Sequence, residues 1–215
     1  MEETLTPRAR RVLRASLFAA GLALVAALLA AWATVPAIRE SKSLWVLFLY
    51  SFPSEFVIAT VPHEPAFLYF SKFHPPWVVA GVSVAGTVLT EWLNYGTVAY
   101  VTDWQLVRNA LQHRAVRTCV AWFDRAPFAA LWVAGFTPIP FYPLRVLAVV
   151  AKYPASRYVL AVFLSRAPRF WILCVAGAAL GFADWMIAGL ALVLAAAGVA
   201  PAARALWRRK KRAGA

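Results

Sequence analysis

The pattern of hydrophobic segments limits this chain to a helical membrane fold. Segments 77–101 and 157–181 are long enough to cross a bilayer as single helices, which takes about 20 mostly apolar residues. Segments 44–70 and 127–153 are apolar at both ends but are interrupted in the middle by proline and charged residues. Non-helical backbone at membrane depth is tolerated where it is buried in protein or lines a cavity. We therefore predict that each interrupted segment is a re-entrant helical hairpin.

The predicted fold class is all-α integral membrane, with spanning helices and two oppositely oriented hairpins that form an inverted repeat. The hydrophobic content of 62% and mean hydropathy of +0.66 agree with a membrane protein. The predicted units are three. The first is an N-terminal cytoplasmic segment with a first transmembrane helix (1–43), and the last is a transmembrane helix with a basic cytoplasmic tail (182–215). Between them lies a core (44–181) made of hairpin 44–70, helix 77–101, basic loop 102–126, hairpin 127–153 and helix 157–181.

The first apolar run allows two interpretations. It follows a cluster of arginines, and its length of about 20 residues favours a retained helix over a signal peptide. The small-residue stretch AAWA around Trp32 is similar to a cleavage site, which leaves the second interpretation open.

Positive charge lies mostly at the ends of the hydrophobic segments, and the net charge is +13. Cytoplasmic loops of membrane proteins are enriched in Lys and Arg. If both hairpins return to the side they entered from, loop 102–126 and the C-terminal tail are both cytoplasmic. If the hairpins crossed the bilayer, that loop would lie outside. The charge pattern therefore predicts a multi-pass protein of the inner (plasma) membrane with N- and C-termini in the cytoplasm.

Several classes of function are disfavoured. The basic clusters lack interleaved aromatic residues, so we predict no nucleic-acid partner. The His and Cys spacing offers no metal site, and Cys119 and Cys174 do not make a disulfide framework, so no cofactor is expected. Thr137 and Ser165 have no evident partner base, and we do not expect an enzyme.

Charged residues inside the hydrophobic segments are the candidate site, because a charge at mid-bilayer costs at least about 3 kcal/mol. Arg166 and Arg169 share a helical face, which Pro168 is expected to open, and guanidinium groups suit phosphate oxygens. The predicted substrate-binding residues are Glu55, Arg145, Arg166 and Arg169. The predicted proton or polar pathway is Glu64, Glu91 and Asn94. The predicted structural residues at the hairpin tips are Pro53, Pro138, Pro140 and Pro143. Structural ion pairs that lock the hairpins are the alternative.

His63 and Glu64 lie beside the first interruption. A proton relay is conceivable there, because histidine titrates near neutral pH. The flanking Pro62 and Pro65 favour a solvated loop instead.

Three stretches, FPSEFVIATV (52–61), LTEWLNYG (89–96) and GFTPIPFYPLRVLAVVAKYPASRYVLAVFLSRAPRF (135–170), together resemble the DedA family, also called the VTT or SNARE-associated Golgi protein family. The similarity is closest to small bacterial members and covers about 44–181. It implies two facing re-entrant hairpins and lipid translocation, by a scramblase or a polyprenyl-phosphate carrier, in some cases linked to protons. The hairpin acid of the family falls on Glu55 and the second-hairpin base on Arg145. The first arginine of the family's Arg-Phe-x-Pro-x-x-Arg pattern is missing here, and Arg166 and Arg169 are candidates to replace it.

The leading hypothesis is a membrane lipid transporter or scramblase for a phosphate-headgroup lipid, either a phospholipid or a polyprenyl phosphate. Its partners are a lipid with an anionic headgroup and, if transport is coupled, protons. A proton-coupled carrier for a small solute or ion, and a non-transporting membrane scaffold, are the alternatives. The sequence pattern is compatible with a homo-oligomer.

Overall fold

The computed structural model describes residues 7–56, 62–102, 114–137 and 141–196. Every regular element in these ranges is an α-helix, as the sequence predicts. The helices are α1 Pro7–Thr34, α2 Pro36–Arg39, α3 Leu44–Glu55, α4 Glu64–Phe70, α5 Pro76–Thr102, α6 Arg114–Phe123, α7 Pro127–Phe136, α8 Tyr142–Val150, α9 Ala155–Leu180 and α10 Asp184–Ala196.

Three helices of the described ranges are long and apolar enough to cross a membrane, in α1 (Ala15–Thr34), α5 (Pro76–Thr102) and α9 (Ala155–Leu180). Helices α5 and α9 agree with the predicted spans 77–101 and 157–181. The predicted last span starts as α10, which is described only to Ala196 and is shorter than a span within that range. Segment 102–126, predicted as a basic loop, contains helix α6.

Each interrupted segment consists of two separate short helices, α3 and α4 in the first, α7 and α8 in the second. They have 12, 7, 10 and 9 residues, and none is long enough to span a bilayer. Proline lies in the first turn of α4 (Pro65) and of α8 (Pro143), where its missing N–H costs no helical hydrogen bond. Pro53 lies inside α3, two residues before its end, and not in the turn. Pro138 and Pro140 lie outside the described residues.

The two spans α5 and α9 pack against each other at the centre of the molecule. Helix α3 packs on α5, and α7 packs on α9. The second short helices cross over, since α4 packs on α9 and α8 packs on α5. Close approach depends on Gly86, which faces Ser51, and on Gly135, which faces Ser165, because a Cβ atom at either glycine would overlap the serine hydroxyl. Small residues at helix contacts are what close packing in a membrane requires.

Two apolar clusters lie on either side of a polar layer. Leu47, Phe67, Val79 and Phe170 belong to the first cluster; Leu131, Ala148, Tyr158 and Ala161 belong to the second. Buried polar residues of α5 and α9 lie between the clusters, near the middle of both spans: Thr87, Thr90, Glu91, Asn94, Ser165 and Arg166. We call this group the polar layer.

Helix α9 runs through Pro168 without interruption, so the expectation that this proline opens the helix was wrong. A proline at position 168 cannot donate to the carbonyl of Leu164, four residues earlier. The indole Nε1 of Trp132 on α7 donates to that carbonyl oxygen at 3.2 Å. The neighbouring helix thus satisfies the acceptor that the proline leaves free.

Candidate functional site

Three arginine–carboxylate pairs lie in or beside the polar layer, and each joins different helices of the described chain. The pairs are Arg145 with Glu91, Arg166 with Glu55, and Arg169 with Glu64. The structure therefore brings all four predicted substrate-binding residues into one region, together with Glu64, Glu91 and Asn94. The pairs differ in how completely their hydrogen-bonding groups are satisfied, and this difference separates their roles.

The pair of Arg145 and Glu91 is fully engaged. Arg145 donates from Nε to Glu91 Oε2 at 2.9 Å and from Nη2 to Oε1 at 2.5 Å, a bidentate contact. Tyr158 Oη on α9 donates to Oε2 at 2.6 Å, and Glu91 is completely buried. A buried carboxylate with three charge-assisted hydrogen bonds is held in one position.

The pair of Arg166 and Glu55 is only half engaged. Arg166 Nη1 donates to Glu55 Oε1. Arg166 Nε is buried and has no hydrogen-bond partner among the described residues, and the same holds for Ser51 Oγ nearby. The hydroxyl of Thr87 lies beside the carboxylate of Glu55. A buried polar atom without a partner is costly. Within the described part of the chain, this pair therefore has spare hydrogen-bonding capacity that the pair of Arg145 and Glu91 does not have.

Arg169 joins the two interrupted segments. Its Nη1 donates to the carbonyl oxygens of Thr137 at 3.0 Å and Gly135 at 3.3 Å, which are free at the end of α7. Its Nη2 donates to Glu64 Oε1 at 2.7 Å, at the start of α4. The end of α3 is held in a similar way, because Asn94 Nδ2 and Arg145 Nη2 donate to the carbonyl oxygen of Glu55 at 2.8 and 3.2 Å.

The two spans use their polar residues in the same way. Each carries a pair three residues apart, Glu91 and Asn94 on α5, Arg166 and Arg169 on α9. The first residue of each pair makes an ion pair with the interrupted segment that belongs to the other span. Glu91 of α5 pairs with Arg145 in segment 127–153, and Arg166 of α9 pairs with Glu55 in segment 44–70. The second donates to a carbonyl at the end of the interrupted helix of its own half, α3 or α7.

His63 is buried, 6% exposed, so the prediction of a solvated loop was wrong for this residue. Its ring packs against those of Phe67 and Phe170, with centroids 4.7 and 5.6 Å away. Nδ1 is 2.7 Å from Ser54 Oγ and 3.8 Å from Glu55 Oε1. Nε2 has no hydrogen-bond partner within the described ranges. His63 therefore belongs with Glu55 and Arg166. The neighbouring Glu64 is more exposed, with 34% of its side chain accessible.

Sequence reasoning also missed Tyr158. A completely buried tyrosine needs a hydrogen-bond acceptor for its hydroxyl, and Glu91 provides it. No group of three or more His, Cys, Asp or Glu residues in the described part of the chain could hold a metal ion.

Comparison with known proteins places this geometry in context. A family model described as the VTT domain matches residues 61–179, which include every residue of the three ion pairs except Glu55. An uncharacterized protein of Haemophilus influenzae is 28% identical over 138 residues, covering 60% of this chain and 71% of that protein. No solved structure matches the chain.

Proposed function

The chain belongs to the VTT-domain (DedA) family of transporter-type membrane proteins, and on this premise we propose that it moves a lipid with a phosphate-bearing headgroup across the bilayer. The observation that carries the proposal is the half-engaged pair of Arg166 and Glu55, buried beside polar atoms that have no partner among the described residues. Buried charge in a membrane protein marks a transport pathway by default. The polar layer lies near the middle of both spans, where transporters of repeated architecture bind their substrates.

Two re-entrant hairpins of opposite orientation, 44–70 and 127–153, are part of this proposal. The short lengths of their helices support it, since a lone 7- to 12-residue helix cannot cross the bilayer. The exchange of packing partners supports it as well, because α4 lies on α9 and α8 lies on α5. The matching use of polar residues on the two spans supports an inverted repeat.

The geometry favours different roles for the arginines. Arg166, whose Nε has no partner in the described ranges, is the residue that binds the phosphate, and Arg169 lies one helical turn further along the same helix. Arg145 positions the second interrupted segment through Glu91 and is not a direct ligand. The phosphate displaces Glu55 from Arg166. A buried carboxylate without a partner is disfavoured as an ion, so the displaced Glu55 takes up a proton.

Fluorescent lipid in proteoliposomes tests the proposal. Arg166→Gln alone would leave Glu55 buried and unpaired, so the informative variant is Glu55→Gln with Arg166→Gln, which removes both charges. We expect this double variant to fold and to lose most of the movement of fluorescent phosphatidylglycerol between leaflets. Arg157→Gln is the matched control, because Arg157 lies on the same helix and is exposed. Wild-type movement by the double variant would refute the proposal.

The same vesicles separate the competing functions. Release of entrapped inorganic phosphate without lipid movement would assign the site to a solute carrier. If the wild type moved neither lipid nor phosphate, and Glu55→Gln and Arg166→Gln each lowered stability, the protein would be a structural scaffold.

A further inference from the structure

An apolar slot lies between the first span and the first interrupted segment, away from the charged site. Its volume is about 330 Å³, and helices α1, α2 and α3 line it with apolar side chains. Leu28 and Ala31 form one wall, and Val46 and Leu49 form the other. Tyr50 also lines the slot, but its hydroxyl donates to the carbonyl of Pro62 at 2.8 Å. Nothing in the lining would attract a polar ligand.

The two ends of the slot differ. Trp32 and Trp45 lie at one end, 49% and 70% exposed, as tryptophans at a membrane–water interface do. The exposed Lys42 precedes α3 at this end, with Nζ 4.2 Å from the ring centre of Phe73. The other end is Pro53, two residues before Glu55. Beyond it, the ring of Phe56 packs on α1 at Gly21, where a Cβ atom would overlap the ring.

The size and the surroundings of the slot select its occupant. An apolar cavity of about 150 Å³ is large enough for benzene, so this slot holds a longer stretch of hydrocarbon. Because α1 is apolar and long enough to span, the slot is at the depth of the bilayer, where lipid chains are the available hydrocarbon. An ammonium group beside the interfacial end is complementary to a lipid phosphate.

We propose that this slot binds one hydrocarbon chain of a bilayer lipid whose anionic headgroup lies at the Lys42 end. The chain points along α3 toward Pro53 and stops at Phe56. This inference does not rest on transport, because a lipid bound in this way is held whether or not it crosses the membrane.

Photolabelling tests the slot directly. The full chain is reconstituted in phosphatidylcholine vesicles that contain a little phosphatidylglycerol with a diazirine on one acyl chain. After illumination, mass spectrometry measures labelling of the two walls, 28–32 and 46–53. The exposed residues Leu160, Phe163 and Leu164 of α9 in the same sample are the reference. We expect the walls to be labelled several-fold more than the reference, and equal labelling would overturn the inference.

Slot-filling variants provide the second test. Ala31→Phe and Val46→Phe fill the slot from opposite walls, and each should lower wall labelling about fivefold or more, since several methylene groups lose their place. Ala20→Phe is the control, because Ala20 is exposed on the same helix and does not line the slot. Wild-type labelling in either filling variant, or an equal loss in the control, would overturn the proposal. If a phosphatidylcholine probe labelled the walls as strongly as the phosphatidylglycerol probe, the proposed preference for an anionic headgroup would be refuted.

Discussion

Replacing Arg145 with methionine tests whether the fully engaged ion pair holds the fold or binds the substrate. The substitution leaves Glu91 completely buried with only the hydrogen bond from Tyr158. It removes two charge-assisted hydrogen bonds, at 2.9 and 2.5 Å, and a third contact to the carbonyl of Glu55. Removing one partner of a buried pair costs about 3–5 kcal/mol, and the bidentate geometry places this change near the upper end.

A second substitution should restore most of that stability. Arg145→Met with Glu91→Gln has no buried charge, and the glutamine oxygen still accepts the hydrogen bond from Tyr158. Replacing both members of a buried pair is often close to neutral. We expect the free energy of unfolding of the double variant to lie within about 1.5 kcal/mol of wild type, the value of one net hydrogen bond.

Reversible unfolding by SDS titration in detergent micelles, followed by tryptophan fluorescence, measures these differences. Arg157→Met is the matched control, because Arg157 is exposed and surface changes usually stay within about 0.5 kcal/mol. The double variant should also move fluorescent lipid at a rate close to wild type. If Arg145→Met alone were as stable as the control, the structural role would be refuted. If the double variant were stable but moved no lipid, Arg145 would be a substrate-binding residue.

Three further predictions use features that the chain already contains. Gly135→Ala should lower thermal stability, because the added methyl group overlaps Ser165, and adding Ser165→Gly to that variant should recover part of the loss. Gly81→Ala is the control, because a Cβ atom at Gly81 would have no atom within 4 Å. The exposed Cys119 should react with a membrane-impermeant maleimide in inside-out vesicles and not in right-side-out vesicles, and the reverse result would exclude two re-entrant hairpins with cytoplasmic termini. Tyr158→Phe should lower the free energy of unfolding by about 1.5–3 kcal/mol, the value of a hydrogen bond to a charged group; a change below 0.5 kcal/mol would contradict the contact with Glu91.

The helices were largely predictable because their signals are local. The length and apolar character of 77–101 and 157–181 were sufficient to place α5 and α9 to within about two residues at each end. Pro65 and Pro143 lie in the first turns of the second short helices, as proline chemistry favours. Helix α6 was missed because its basic residues suggested a loop.

The candidate site was predictable as a set of residues but not as a set of contacts. The cost of burying charge was enough to select Glu55, Arg145 and Arg166. Which carboxylate meets which arginine depends on how α4 and α8 cross to the opposite spans, and no local pattern reports that. His63 was misjudged for the same reason, because Phe170, which covers its ring, is more than a hundred positions away in the chain.

The three ion pairs divide the core into an acidic half and a basic half. Glu55, Glu64 and Glu91 all belong to the first interrupted segment and its span, and Arg145, Arg169 and Arg166 all belong to the second. The acidic half is synthesised first, so its carboxylates enter the membrane before any of these arginines has been synthesised. Two copies of either half would bring like charges together, whereas one copy of each half gives every one of these carboxylates an arginine partner.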